Sequence, residues 1–184
     1  MSKSQRRYWD ANVFLGWFKE EDDKIDACRS VLKQAEAGEI TIVTSAITLT
    51  EVVYIRNNTK NITISPSTER TLRAFFENDF IELWNADRKI CEYARQIVWD
   101  QGVRTKDSIH AATALQSDVA KLESYDPDLL DMDGELQRPD QSTLQIGQPR
   151  ASGQINMPLR GATYDDSFNG SEEAEVESED QSDS

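Results

Sequence analysis

Short β-rich runs alternate along this chain with stretches in which apolar residues recur every three or four positions, and the pattern holds to about residue 136. The first run, Arg6-Arg7-Tyr8-Trp9, ends on Asp10 and leads into the apolar segment Val13 to Phe18, which predicts a strand, an acid and a short helix. Ile25, Cys28, Val31, Leu32 and Ala35 keep helical spacing up to a stop at Gly38, and Ile40 to Thr44 suits a second strand. Ser45 is placed to cap a helix carrying Ile47, Leu49, Val52, Val53 and Ile55 as far as about Asn57. A polar loop follows, and a new helix begins at Ser65-Pro66-Ser67 with Leu72, Phe75 and Phe76 on one face. Phe80 to Trp84 predicts a third strand, and Asp87 caps a helix bearing Ile90, Cys91, Ala94, Ile97 and Val98 that stops at Gly102. Lys106-Asp107 opens another helix, reaching about Gln116. Val119 to Ser124 predicts a fourth strand whose Lys121 and Glu123 suit a sheet edge, and Asp126-Pro127 turns into a last helical segment. Alternation of this kind predicts an α/β fold with a parallel sheet.

From Gln137 the pattern ends. Gly, Pro, Ser, Gln and acids dominate, and apolar residues stand alone. One domain over residues 4–136 and a disordered acidic tail over 137–184 are therefore expected, since such a tail buries too little apolar surface to offset its ordering entropy. The net charge of −14 argues against nucleic acid at first sight. It does not decide the matter, because a metal ion held by clustered carboxylates inverts the local field. No apolar run approaches the ~18 residues of a membrane helix. Asp10, Asn12 and Lys19 interrupt the first apolar run, which excludes an ordinary secretory signal. Cys28 and Cys91 lie in helical patterns without metal-ligand spacing, so reduced, buried thiols in a cytoplasmic protein are expected and a zinc site is not.

Four acids stand out. Asp10 follows the first strand, Asp126 the fourth, Asp107 opens a helix, and Glu51 shares a stripe with Ile47, Tyr54 and Ile55. Each has an ordinary reading of its own: a helix cap for Asp10, an edge residue reaching water for Glu51, a first-turn acid for Asp107, and a turn before proline for Asp126. Together they are placed to converge on the crevice at the carboxyl edge of a parallel sheet, where such folds bind ligands. Clustered carboxylates without cysteine suit a hard divalent cation such as Mg²⁺ or Mn²⁺. A water on such an ion can attack a phosphodiester.

The segments Trp9-Asp10-Ala11-Asn12-Val13-Phe14-Leu15, Leu49-Thr50-Glu51-Val52, Lys106-Asp107-Ser108-Ile109-His110-Ala111-Ala112-Thr113-Ala114-Leu115 and Ser124-Tyr125-Asp126-Pro127-Asp128-Leu129 resemble, in order and spacing, the PIN-domain ribonucleases similar to VapC toxins of toxin–antitoxin pairs. The resemblance covers roughly residues 6–130, and the segment around Asp107 is its most specific part. It implies a three-layer α/β/α sandwich around a short parallel sheet. It also implies metal-dependent endoribonuclease activity, with Asp10, Glu51, Asp107 and Asp126 as the acidic quartet that binds Mg²⁺ or Mn²⁺. Asn12 and Ser124 match auxiliary polar positions, and Asp128 is left without an assigned role. Ser124 stands where the family often has threonine, and the acidic tail is no part of the family pattern. An RNA substrate, an antitoxin protein that places a basic side chain among the acids, and a homodimer follow from the resemblance alone.

Arg104 and Lys106, beside Asp107, are the best candidates for phosphate contacts, ahead of Arg6, Arg7, Arg56, Lys60, Arg70 and Arg73. His110 is expected to pack and hydrogen-bond beneath the acids rather than serve as a base. Trp9, Trp17, Trp84 and Trp99 are expected in the core or an interface. Two other readings stand beside the ribonuclease: a PIN-fold binding or assembly module too weak in metal affinity for turnover, and a nuclease acting on DNA.

Overall fold

The computed structural model describes residues 4–53, 65–138 and 140–150. Five parallel strands form one sheet: β1 (Gln5–Trp9), β2 (Ile40–Ser45), β3 (Ile81–Trp84), β4 (Lys121–Glu123) and β5 (Gln145–Gly147), in the order β3-β2-β1-β4-β5. The connecting helices are α1 (Ala11–Phe18), α2 (Ile25–Glu36), α3 (Thr48–Glu51), α4 (Pro66–Phe76), α5 (Arg88–Gln101), α6 (Thr105–Gln116) and α7 (Pro127–Leu130). The chain runs outward from β1 to β3, then returns to the other side of β1 with β4. The sheet order thus reverses between β1 and β4, and a crevice opens at their carboxyl ends.

Alternation along the strands makes the three layers. Tyr8, Val43 and Leu122 face a core completed by Ile90, Ala94 and Ile97 of α5 and by the alanines of α6. Trp9, Ile40 and Ile42 point the other way, onto Phe14 of α1, Val31 of α2 and Leu72 and Phe76 of α4. The α/β/α sandwich expected from the sequence is the observed architecture.

Several local expectations hold through specific contacts. Asp87 caps α5 by accepting from the Ile90 amide, and Ser65 caps α4 by accepting from Thr68. Gly102 ends α5 with a φ of 70°, which a side chain would strain.

Several expectations need correction. Ser45 is not a helix cap but the last residue of β2: it pairs with Trp84 and gives its amide to the Tyr8 hydroxyl. The helix after it is the single turn of α3, and Val52 breaks it with a ψ of 70°. Tyr54 and Ile55, on the stripe assigned to Glu51, lie outside the described residues. β4 is not an edge, because β5 pairs with its outer side. Its Glu123 is buried, and its carboxylate is partnered there: it accepts from Trp9 Nε1 at 2.6 Å and pairs with Arg7 and Lys121. Consequently Arg7, considered above for phosphate contact, is an interior residue. β5 also lies beyond the expected domain end at 136. Leu144 and Ile146 insert into the α5–α6 side of the core, so these two isolated apolar residues carry the sheet to Gly147. Finally, Cys28 is buried but Cys91 is exposed. Residues 151–184, which hold most of the acidic tail, lie outside the described residues.

Candidate active site

Asp10 leaves β1 at the sheet reversal, and its side chain does two things at once. Oδ1 caps α1 by accepting from the Val13 amide at 3.1 Å, while Oδ2 accepts from the Ser124 hydroxyl at 2.6 Å. The cap and the site are therefore the same residue. Ser124 follows β4 and is held in turn, because its Oγ accepts from the Asp126 amide at 2.8 Å. Asp126 caps α7 through the Asp128 amide, and its other oxygen accepts from Asn12 Nδ2 at 3.1 Å. Asn12 and Ser124 thus tie the ends of β1 and β4 together across the crevice.

Asp107 enters from the first turn of α6, and Glu51 from the end of α3. A cavity of about 290 Å³ is lined by Asp10, Asn12, Glu51, Arg104, Lys106, Asp107, His110 and Asp126, among others. All four acids singled out in the sequence line this one cavity. Within the site, one carboxylate oxygen from each of Asp107, Asp126 and Asp128 lies within 4.8 Å of the others. Asp128, to which the sequence assigned no role, belongs to this group.

Two features suit this cavity to a cation in chemical terms. Asp107 Oδ2 is buried and has no hydrogen-bond partner, a state that costs about 1–3 kcal/mol for a polar group and more for a charged one. The ligand set is also entirely hard oxygen, which fits a divalent ion such as Mg²⁺ or Mn²⁺. Electrostatics agree. Burial pushes Asp10 up to about 6, against the opposing pull of His110 and the Ser124 hydrogen bond. Burial, and then the charge of Asp126, also lift Asp107 above the ordinary carboxylate range. Negative charge has been gathered here at a cost that a bound cation would offset.

Glu51 differs. Burial alone raises its pKa, but the hydrogen bond and charge of His110, then those of Lys106, outweigh it and hold the carboxyl low. His110 is itself buried between Tyr8 and Glu51, with Nδ1 2.8 Å from the Tyr8 hydroxyl and Nε2 2.8 Å from Glu51 Oε2. Of the two basic candidates, Lys106 pairs with Glu51 at 3.2 Å and Arg104 with Asp128 at 3.4 Å, both largely exposed at the cavity rim. The sequence reading placed His110 beneath the acids but did not find its partners. Tyr8 and Glu51 lie 102 and 59 residues away, and only the pairing of β1 with β2 and α6 brings them together.

The chain matches the PIN domain family over residues 7–135. Among solved structures, a toxin–antitoxin complex from Klebsiella pneumoniae is similar at a TM-score of 0.49 and 18% identity, covering 70% of this chain and 91% of that one. VapBC2 from Rickettsia felis, bound to a DNA fragment from its promoter, is similar at a TM-score of 0.49 and 18% identity, covering 68% and 96%. No curated protein matches the chain.

Proposed function

This chain belongs to the PIN-domain family, and from that premise we propose that it is an endoribonuclease that hydrolyses RNA phosphodiesters with Mg²⁺ or Mn²⁺. The observation that carries the reading is the convergence of Asp10, Glu51, Asp107 and Asp126 on one cavity, with Asp107 Oδ2 buried and unpartnered. Asp107 and Asp126, with Asp128 beside them, would hold the ion, and Asp10 and Glu51, lining the same cavity, would complete its carboxylate ligands. When bound, the ion would supply positive charge for the reacting phosphate and would lower the pKa of a water molecule toward neutrality.

The remaining work falls to the chain itself. Ser124 and Asn12 hold Asp10 and Asp126 at fixed orientations through the 2.6 and 3.1 Å hydrogen bonds. Arg104 and Lys106 stand at the rim, where exposed cations meet substrate phosphates. With water as the nucleophile rather than the 2′-hydroxyl, the products carry 5′-phosphate and 3′-hydroxyl ends.

The resemblance of the Lys106–Ala114 segment to VapC toxins extends the proposal to a toxin-like component of a toxin–antitoxin pair, acting in the cytoplasm as a homodimer. An antitoxin would silence it by placing a basic side chain among the acids. No helix among the described residues is long and apolar enough to cross a membrane.

The test is incubation of the full chain with total RNA and, separately, with single-stranded DNA, in Mn²⁺ and in chelator, followed by mapping of the cut ends. Cleavage of RNA that needs Mn²⁺, leaves 5′-phosphates and disappears in Asp107→Asn is expected. Cleavage of DNA alone would overturn the substrate, and cleavage that survives in chelator would overturn the mechanism.

A further inference from the structure

Both Glu51 oxygens are engaged, and by partners of opposite character. Oε2 meets His110 Nε2 at 2.8 Å, and that ring is 2% exposed; Oε1 meets Lys106 Nζ at 3.2 Å, and that side chain is 62% exposed. An ionised carboxylate only accepts hydrogen bonds, so Nε2 carries a proton and donates it. The other ring nitrogen lies against the Tyr8 hydroxyl, which itself accepts from the Ser45 amide at 3.1 Å. Burial pushes the Tyr8 pKa far up, so the hydroxyl keeps its proton. A chain of three hydrogen bonds therefore runs from the end of β2 through Tyr8 and His110 to one oxygen of Glu51. Since α3 is a single turn, this side-chain tether supplies rigidity that the local backbone does not.

The lysine is different in kind. It is a flexible, strongly hydrated point charge on the outer side of the cavity, and a pair whose cation is this exposed is screened by solvent and readily exchanged. We propose that Tyr8 and His110 fix Glu51 by one carboxylate oxygen, while Lys106 sits on the other as a placeholder cation that gives way to a divalent ion. Lys106 offsets one of the negative charges lining the cavity when no metal is bound. Once displaced, its ammonium stands free at the mouth of the site, where it pairs with a substrate phosphate. His110 is thus a positioning residue, and Lys106 exchanges one anionic partner for another. The inference rests on the metal-dependent reading given above.

Mn²⁺ binding to the chelator-stripped full chain, followed by electron paramagnetic resonance or calorimetry, separates the two roles because they predict opposite signs. Lys106→Met should tighten Mn²⁺ binding by up to ~5-fold, the strength of an exposed ion pair, while weakening RNA binding. His110→Asn, whose amide stops short of Glu51, should weaken Mn²⁺ binding by ~10–100-fold, the range for loss of such a supporting contact. His110→Gln reaches Glu51 and should restore most of it. Unchanged or weaker Mn²⁺ binding in Lys106→Met overturns the placeholder, and this variant decides the matter even if the His110 variants fold poorly. Equal affinities in His110→Asn, His110→Gln and wild type overturn the tether. Wild-type protein without saturable Mn²⁺ binding would instead overturn the nuclease reading on which this inference depends.

Discussion

Replacing Asp10 by Asn should make the metal-free protein more stable at neutral pH and slightly less stable in acid. Burial lifts the Asp10 pKa from its ordinary 3.8 to about 6, so the fold prefers the protonated acid. With the folded pKa raised, the favourable contribution is fully present below the unfolded value and is lost as pH rises through about 6. At ~1.36 kcal/mol per pK unit, the wild-type protein loses about 3 kcal/mol over that window from this one group. Asn keeps Oδ1 as acceptor for the Val13 amide, so the α1 cap survives. It replaces the oxygen that accepts from the Ser124 hydroxyl, which costs about 1 kcal/mol at any pH. Asp10→Asn is therefore expected to lie ~0.5 kcal/mol below wild type at about pH 4 and roughly 2 kcal/mol above it at about pH 7.5. Urea denaturation of both proteins in chelator at the two pH values measures this, because titrations not coupled to Asp10 cancel in the difference. A stability difference that does not change with pH would refute the claim that the site stores unfavourable charge at Asp10.

Other perturbations follow from the same geometry. Ser124→Ala removes the 2.6 Å bond that favours the Asp10 carboxylate, so its pKa rises further, and the acid limb of a Mn²⁺-dependent cleavage profile should move to higher pH; an unmoved limb would separate Ser124 from the site. Glu123→Ala breaks the buried pair with Arg7 and takes the acceptor from Trp9 Nε1, and should cost about 3–5 kcal/mol in chemical denaturation. Truncation after residue 136 removes β5 together with the buried Leu144 and Ile146, and at ~1.5–3 kcal/mol per buried side chain it should lower the melting temperature sharply, as read by circular dichroism. For that reason a deletion designed to test the acidic tail alone has to begin at residue 151.

The reach of the sequence differs from element to element, for physical reasons. Strands β1 to β3 and helices α2, α4, α5 and α6 are legible because each carries its own apolar period and its own local caps, such as Ser65, Asp87 and Gly102. The acids of the site are legible because their types and spacing are unusual on apolar elements. What escapes is whatever depends on a distant partner. Glu123 reads as a surface residue until Arg7 and Trp9, more than 110 residues earlier, are placed beside it. The helix expected after Ser45 begins only at Thr48, since Ser45 is already committed to the β2–β3 ladder, and Val52 ends it after one turn. β5 is invisible as a strand because only Ile146 of its three residues is buried, and its neighbours are Gln and Gly. Asp128 joins the acid cluster only because the Asp126 cap turns α7 back toward α6.

Metal binding and cleavage measured on the same samples provide the most direct test of the central claim, that the four converging acids form a metal-dependent phosphodiesterase centre. Mn²⁺ should bind saturably to the wild-type protein, and RNA cleavage should rise along the same isotherm. Asp10→Asn and Asp107→Asn should lose both while remaining folded. Cleavage that persists at full rate in chelator, or in both variants, would contradict the account.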